Sequence, residues 1–326
     1  MRYRDDALSR IFVTRAIAES ALSKLRARHQ VDVWPQPSPV PADALATALR
    51  DCDGVLSLLT ERIDETVLAG APKLKVVSNM AVGVDNIDVA ACSARKIPVG
   101  HTPGVLTQAT ADLTFALLLA AARRLVEADA FVRAGKWRTW DPSLLLGREL
   151  EGATLGIAGF GAIGQAVARR AVGFGLRLLY HSRREVDFAG ATPVDKRTLL
   201  AESDFLSIHL PLSGETRHWL STADFAQMKP GSVLINAARG PIIDQRALLA
   251  ALETGQPGFA ALDVTDPEPP GADEPLLRSS RVLVLPHLGS ATLETRTRMA
   301  NLAADNLLDV LEGRRPRHVV NPQVLS

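Results

Sequence analysis

Short, nearly continuous apolar runs recur along this chain, and most are followed by a stretch whose apolar positions have helical spacing. Runs at residues 10–13, 31–34, 54–59 and 74–78 alternate with predicted helices over 16–28, 42–51 and 64–69. Strands apolar on both faces and separated by helices belong to parallel sheets covered on both sides, so residues up to about 100 read as a first α/β lobe. The apolar stretch 106–126 predicts one long helix that must be buried, either between lobes or against another subunit. A second series of strands follows at 155–158, 177–180, 205–209, 233–236, 259–263 and 282–285, and a helix over 292–311 ends at Gly313. The fold class is α/β: two doubly wound parallel sheets, with a cleft expected where the carboxyl ends of their strands meet.

Composition narrows the function classes. The chain has 326 residues, enough for two domains, with 47% hydrophobic residues, 22% charged and a formal net charge of +1. Near neutrality gives no general attraction to nucleic acid or to an anionic membrane. Met1 to Asp6 has no apolar signal region, and the longest apolar run, 113–122, falls well short of a membrane span, so a cytoplasmic protein is expected. Cys52 and Cys92 could pair on paper, but a large core and no secretion signal favour free buried thiols in a reducing compartment. Neither Cys-x-x-Cys nor His-x-x-x-His occurs, so no metal is expected. Residues 135–152 have little periodicity yet hold Trp137, Trp140, Leu144, Leu145 and Leu146; a homodimer contact is the expectation, packing within one chain the alternative.

The candidate chemistry begins at Gly159-Phe160-Gly161-Ala162-Ile163-Gly164, between the strand 155–158 and a helix over 165–172. In that order the first glycine permits a tight turn, the second admits a pyrophosphate, and the third lets helix and strand pack closely. The phosphates would rest on the free N–H groups of the helix start. About twenty residues on, where an acidic residue ordinarily holds the adenosine ribose, stand His181, Ser182, Arg183 and Arg184. A hydroxyl and two guanidinium groups suit a 2′-phosphate, which predicts NADP(H) in preference to NAD(H), with NAD(H) possible. An ordinary solvated basic turn is the plainer reading.

Just beyond the last three strands of the second lobe stand Arg239, Glu268 and His287, in Asn236-Ala-Ala-Arg-Gly240, Asp266-Pro-Glu-Pro269 and Pro286-His-Leu-Gly-Ser-Ala-Thr292. Together with Val82-Gly-Val-Asp-Asn-Ile-Asp88, His101-Thr-Pro103 and His209-Leu-Pro-Leu212, these motifs resemble the D-isomer-specific 2-hydroxyacid dehydrogenases, most closely their glyoxylate/hydroxypyruvate and 2-ketogluconate reductase branch. The resemblance runs from about Arg10 to Pro322 and implies a flavodoxin-like substrate lobe, 1–101 with 290–326, and a Rossmann coenzyme lobe, 102–289. It implies that a hydride passes from the reduced nicotinamide to the keto carbon of a small 2-oxo acid while His287 gives the keto oxygen a proton. Glu268 would orient the imidazole, and Arg239 would grip the substrate carboxylate and polarise the carbonyl.

By the same resemblance Val82 and Gly83 offer backbone N–H groups to the carboxylate, Thr107, Leu210, Pro211, Thr216, Ala237, Ala238 and Gly289 line the cofactor groove, and Asp263 holds the carboxamide. Threonines in such loops also cap helices. His29, His101, His209, His218 and His318 carry no paired carboxylate motif and read as structural. An NADPH-preferring reductase of glyoxylate or hydroxypyruvate is the expectation. The alternatives are a 2-ketogluconate reductase, a phosphoglycerate-type dehydrogenase, or a dinucleotide-sensing binding protein on the same fold.

Overall fold

A computed structural model describes residues 8–325; the reading of Met1 to Asp6 lies outside the described residues. Among the described residues, 8–106 together with 292–325 form one compact unit, and Thr107–Ala291 forms another.

In the first unit, β1 (Arg10–Val13), β2 (Gln30–Val33), β3 (Gly54–Ser57), β4 (Val76–Asn79) and β5 (Val99–Gly100) make one sheet in the order β2-β1-β3-β4-β5. Every pair is parallel. The order reverses between β1 and β3, the flavodoxin-like arrangement. The helix Leu293–Leu311 returns to this sheet, because Ala300, Ala303, Ala304, Leu307 and Leu308 form one apolar stripe against Ile11, Val13, Leu56 and Val76. Thr292 caps that helix, its hydroxyl accepting from the Thr295 N–H at 3.1 Å. The predicted start at 292 is therefore the cap, with the helix one residue later.

In the second unit, β6 (Thr154–Ala158), β7 (Arg177–His181), β8 (Ala191–Pro193), β9 (Phe205–Ile208), β10 (Val233–Asn236), β11 (Phe259–Leu262) and β12 (Val282–Val284) run in the order β12-β11-β10-β9-β6-β7-β8. All pairs are parallel. This is the Rossmann order extended by one strand, with the reversal between β6 and β9. β8 was not legible in the sequence: it is a three-residue edge strand, Ala-Thr-Pro, with no apolar run to betray it.

The helix predicted over 106–126 is two helices, Thr107–Ala122 and Leu125–Arg133. Arg124 breaks them apart in a left-handed conformation, φ 52°, and its guanidinium grips both oxygens of Glu127 at 2.8 and 2.7 Å. Nor does the first helix need a neighbouring lobe or subunit to bury it. Ala111, Phe115, Leu118 and Ala121 belong to the core formed by Leu155, Ile157, Ile235 and Ala261 of the same unit. The second helix instead exposes Leu125, Val126 and Val132, and the following segment exposes Trp137 by 58% and Trp140 by 78%, so packing within the chain does not cover these rings.

Cys52 and Cys92 are free and buried, and burial pushes both thiols up to about 11. No helix among the described residues is long and apolar enough to cross a membrane.

Candidate active site

Parallel strands gather their carboxyl ends at one edge, and in the second unit the loops after β10, β11 and β12 carry Arg239, Glu268 and His287. The Arg239 loop is braced from inside by buried Asn236, which donates from Nδ2 to the Arg239 carbonyl at 2.9 Å and accepts from the Ala238 N–H at 3.0 Å. Arg239 itself donates from Nη1 to the Ala238 carbonyl at 2.9 Å. Gly240 lets this loop touch the next: a Cβ there would lie 1.9 Å from the Thr265 carbonyl oxygen.

Glu268 and His287 meet directly, with Oε1 2.5 Å from Nδ1. A carboxylate can only accept, so Nδ1 carries the proton of this bond and Nε2 is the nitrogen left to face a reactant. His287 has a left-handed backbone, φ 55°, held by its own N–H to the Asp263 carbonyl at 2.9 Å. The Asp263 side chain then accepts from the Leu288 N–H at 2.6 Å and the Gly289 N–H at 2.8 Å. Burial raises the Asp263 carboxyl above the usual carboxylate range, against the pull of these two amides. Asp263, for which the family resemblance implies a carboxamide contact, thus clamps the loop that carries the imidazole.

His209 makes an instructive contrast. It is bonded through Nε2 to Ser207 at 2.8 Å, and burial pushes it down to about 4. Neutral at physiological pH, it is no proton donor of the imidazolium kind.

The glycine turn fits a pyrophosphate. A Cβ at Gly159 would meet the His209 carbonyl oxygen at 2.5 Å and one at Gly164 the Gly159 carbonyl oxygen at 2.2 Å, whereas one at Gly161 would meet nothing within 4 Å. The outer two glycines are required by packing, and the middle one leaves open space in front of the helix Ala162–Val172. Gly161 caps that helix without a side-chain hydrogen bond, so no side chain competes with an anion for the first-turn N–H groups.

At the end of β7, His181 donates from Nδ1 to the Val194 carbonyl at 3.0 Å, and just beyond it the Ser182 hydroxyl bonds the Arg184 carbonyl. Arg183 and Arg184 are exposed and enter no ion pair among the described residues. A cavity of about 300 Å³ opens here, lined by Tyr180, His181, Ser182, Glu185, Pro193, Val194 and Asp195. His181 to Arg184 hold no carboxylate, but Glu185 follows them directly and folding brings Asp195 to the same cavity wall. Asp195 arrives from β8 and is engaged as a helix cap, accepting from the Thr198 N–H at 2.7 Å; Glu185 is exposed.

In the first unit, the Ala81 carbonyl accepts from the Thr102 N–H at 2.8 Å and the Val82 carbonyl from His101 Nδ1 at 3.1 Å. Across a trans peptide the N–H points opposite to the C=O. Fixing these two carbonyls therefore turns the N–H groups of Val82 and Gly83 the other way, where they donate to nothing among the described residues. Asn79 adds a bond from Nδ2 to the Gly83 carbonyl at 3.0 Å.

A family model for the NAD-binding domain of D-isomer specific 2-hydroxyacid dehydrogenases matches residues 115–289. The chain belongs to this family. It is 47% identical over 322 residues to the glyoxylate reductase of Korarchaeum cryptofilum, covering 97% of both chains. Among solved structures, one from Thermus thermophilus superposes with a TM-score of 0.91 at 45% identity, over 95% of this chain and 99% of that one. The NADPH-dependent glyoxylate/hydroxypyruvate reductase of Sinorhizobium meliloti, solved with NADP and malonate, superposes at 0.86 with 31% identity, over 97% and 98%.

This dehydrogenase is an oxidoreductase with a nicotinamide-dinucleotide domain. Several of its positioning groups were hidden in the sequence. Asn79, His101 and Asn236 brace loops, and only their hydrogen bonds reveal it. Thr216 of the dehydrogenase spends its hydroxyl on its own loop, donating to the Pro211 carbonyl at 2.6 Å and accepting from the Ser213 N–H at 2.8 Å. Thr107 is the first residue of its helix and is buried, and Leu210, Pro211, Ala237, Ala238 and Gly289 lie in the loops after β9, β10 and β12.

Proposed function

We propose that the chain reduces small 2-oxo acids, glyoxylate or hydroxypyruvate, with NADPH preferred over NADH. The observation that carries the reading is the Glu268 carboxylate 2.5 Å from His287 Nδ1 beside the Arg239 loop, at the carboxyl edge of a dinucleotide-binding sheet. The residues of Gly159 to Gly164 would hold the pyrophosphate, with Ser182, Arg183 and Arg184 around the ribose phosphate. When bound, the reduced nicotinamide supplies the hydride. His287 gives the keto oxygen its proton from Nε2, and Glu268 keeps the ring oriented and stabilises the imidazolium. Arg239 binds the carboxylate and polarises the keto group, with the Val82 and Gly83 amides as further anion ligands. In this reading residues 1–101 with 290–326 bind substrate and 102–289 bind coenzyme.

The names of the relatives support the substrate class, and the NADP-bound neighbour supports the phosphate reading. NADH, which lacks the 2′-phosphate, is turned over more slowly in the same reading. The test is a spectrophotometric assay with glyoxylate and hydroxypyruvate against both cofactors. We expect kcat/KM for NADPH about tenfold or more above that for NADH, the worth of one or two charge-assisted hydrogen bonds. Cofactor binding without turnover across a panel of 2-oxo acids would instead favour a dinucleotide sensor.

The same reading includes a cytoplasmic homodimer. The exposed Leu125, Val126, Val132, Trp137, Trp140 and Leu146 are the apolar groups that a second copy would cover, and two free buried thiols suit a reducing compartment. Light scattering should give twice the chain mass; a monomer at micromolar concentration rejects the dimer.

A further inference from the structure

The loop that follows β7 is closed by a side chain of the strand itself. Tyr180, the buried penultimate residue of that strand, donates from its hydroxyl to the Val186 carbonyl at 2.9 Å and accepts from the Val186 N–H at the same distance. One phenol thus satisfies both polar groups of one residue, as a neighbouring strand would, and closes the chain from 181 to 185 into a ring. Ser182, Arg183 and Arg184 all lie on that ring. The face of the Tyr180 ring stacks on Phe160 at 4.0 Å between centroids, and Phe160 meets Phe188 edge-on at 5.3 Å. Since Phe160 is the second residue of the glycine turn, one aromatic cluster touches both the pyrophosphate turn and the loop beyond β7. The Gly159 N–H adds a backbone tie, donating to the His181 carbonyl at 2.8 Å.

We propose that the Tyr180 hydroxyl is a positioning group for cofactor selectivity: it pre-orders the loop bearing Arg183 and Arg184 for a 2′-phosphate. The proposal rests on the NADPH reading given above. Its physical content is an entropy difference. A loop already closed presents its guanidinium groups at little further cost, whereas a loop freed at Val186 must be ordered when the phosphate binds. NADH has no 2′-phosphate and makes no demand on the two arginines, so the cost falls on NADPH alone. Hydride transfer takes place at the other end of the cofactor, so kcat is untouched.

Tyr180→Phe isolates the effect, because it keeps the ring stack and deletes only the hydroxyl. The expected result is a five- to tenfold rise in KM for NADPH, the worth of one or two net hydrogen bonds, with KM for NADH and both kcat values within about twofold of the parent. Val186→Ala, which retains both backbone partners, should leave the ratio of the two KM values unchanged. Equal rises for the two cofactors would reduce Tyr180 to a structural residue, and no rise for either would overturn the clamp.

Limited trypsin digestion separates this outcome from failure of the cofactor reading. Cleavage after Arg183 or Arg184 should be several-fold faster in Tyr180→Phe than in the parent, since a protease needs an opened loop. Faster cleavage together with a parent enzyme that shows no NADPH preference would leave the clamp standing and sink its role in selectivity. Unchanged cleavage would remove the clamp whatever the cofactor.

Discussion

Replacing His287 should lower kcat for 2-oxo acid reduction by roughly 10³- to 10⁴-fold, the usual worth of a general acid with its positioning carboxylate, which corresponds to about 4–5 kcal/mol in the barrier. The backbone dictates how the experiment is done. His287 has φ 55°, a region in which alanine is strained and asparagine is tolerated. His287→Ala therefore mixes the loss of the ring with a backbone cost on the order of 1 kcal/mol, whereas His287→Asn removes the proton donor with the loop conformation kept. Both variants should lose turnover to a similar extent, and His287→Asn should retain the parent melting temperature within about 2 °C and its dinucleotide affinity. Glu268→Gln should give a smaller loss, because the ring stays but its orienting charge does not. If His287→Asn reduced glyoxylate at more than a tenth of the parent rate, His287 would not be the acid.

The second large effect is expected at a residue with no side chain at all. A Cβ on Gly240 would lie 1.9 Å from the Thr265 carbonyl oxygen and 2.1 Å from its carbon. Both are backbone atoms, so no rotamer change relieves the clash; the loop after β10 must part from the loop after β11. Overpacking of this kind costs about 3 kcal/mol or more, which for a unit of this size lowers the melting temperature by roughly 10 °C. Those loops carry Arg239 and Glu268, so activity should fall along with stability, and by more than the unfolded fraction explains. Gly271→Ala is the control: a Cβ there meets nothing within 4 Å, and the change should stay within about 0.5 kcal/mol. Thermal denaturation of the two variants side by side, with activity measured well below either transition, makes the comparison. A Gly240→Ala enzyme as stable and active as the control would show that the two loops are not locked together as described.

Both expectations depend on which features the chain displays locally and which arise only on folding. The alternation of apolar runs with helical stretches was enough to announce two parallel sheets, because strands buried on both faces must be apolar throughout. The glycine turn was legible for a similar reason: strand, three spaced glycines and helix are contiguous in sequence, and each glycine answers a local steric demand. Arg239, Glu268 and His287 were recognisable as candidates because each lies in its own short motif just after a strand.

What the sequence withheld is everything that depends on the approach of distant segments. The break at Arg124 falls where the apolar run 113–122 gives way to Arg123 and Arg124, but arginine is itself a helix former, so the sequence marks the end of the run without marking the left-handed turn. β8 pairs only because β7 offers it an edge. Asp195 reaches the wall of the cavity beside Ser182 through that same strand pairing, so His181 to Arg184, which hold no carboxylate, gain one from beyond the loop. Asp263 and His287 are far apart in sequence, and their clamp exists only because β11 and β12 lie side by side. The chain by itself determined the periodicities and the motifs, which are matters of local geometry and burial. The tertiary structure alone decided the hydrogen-bond partners that orient the reactive groups, because such bonds act over about 3 Å and form only between groups that the sheets have already brought together.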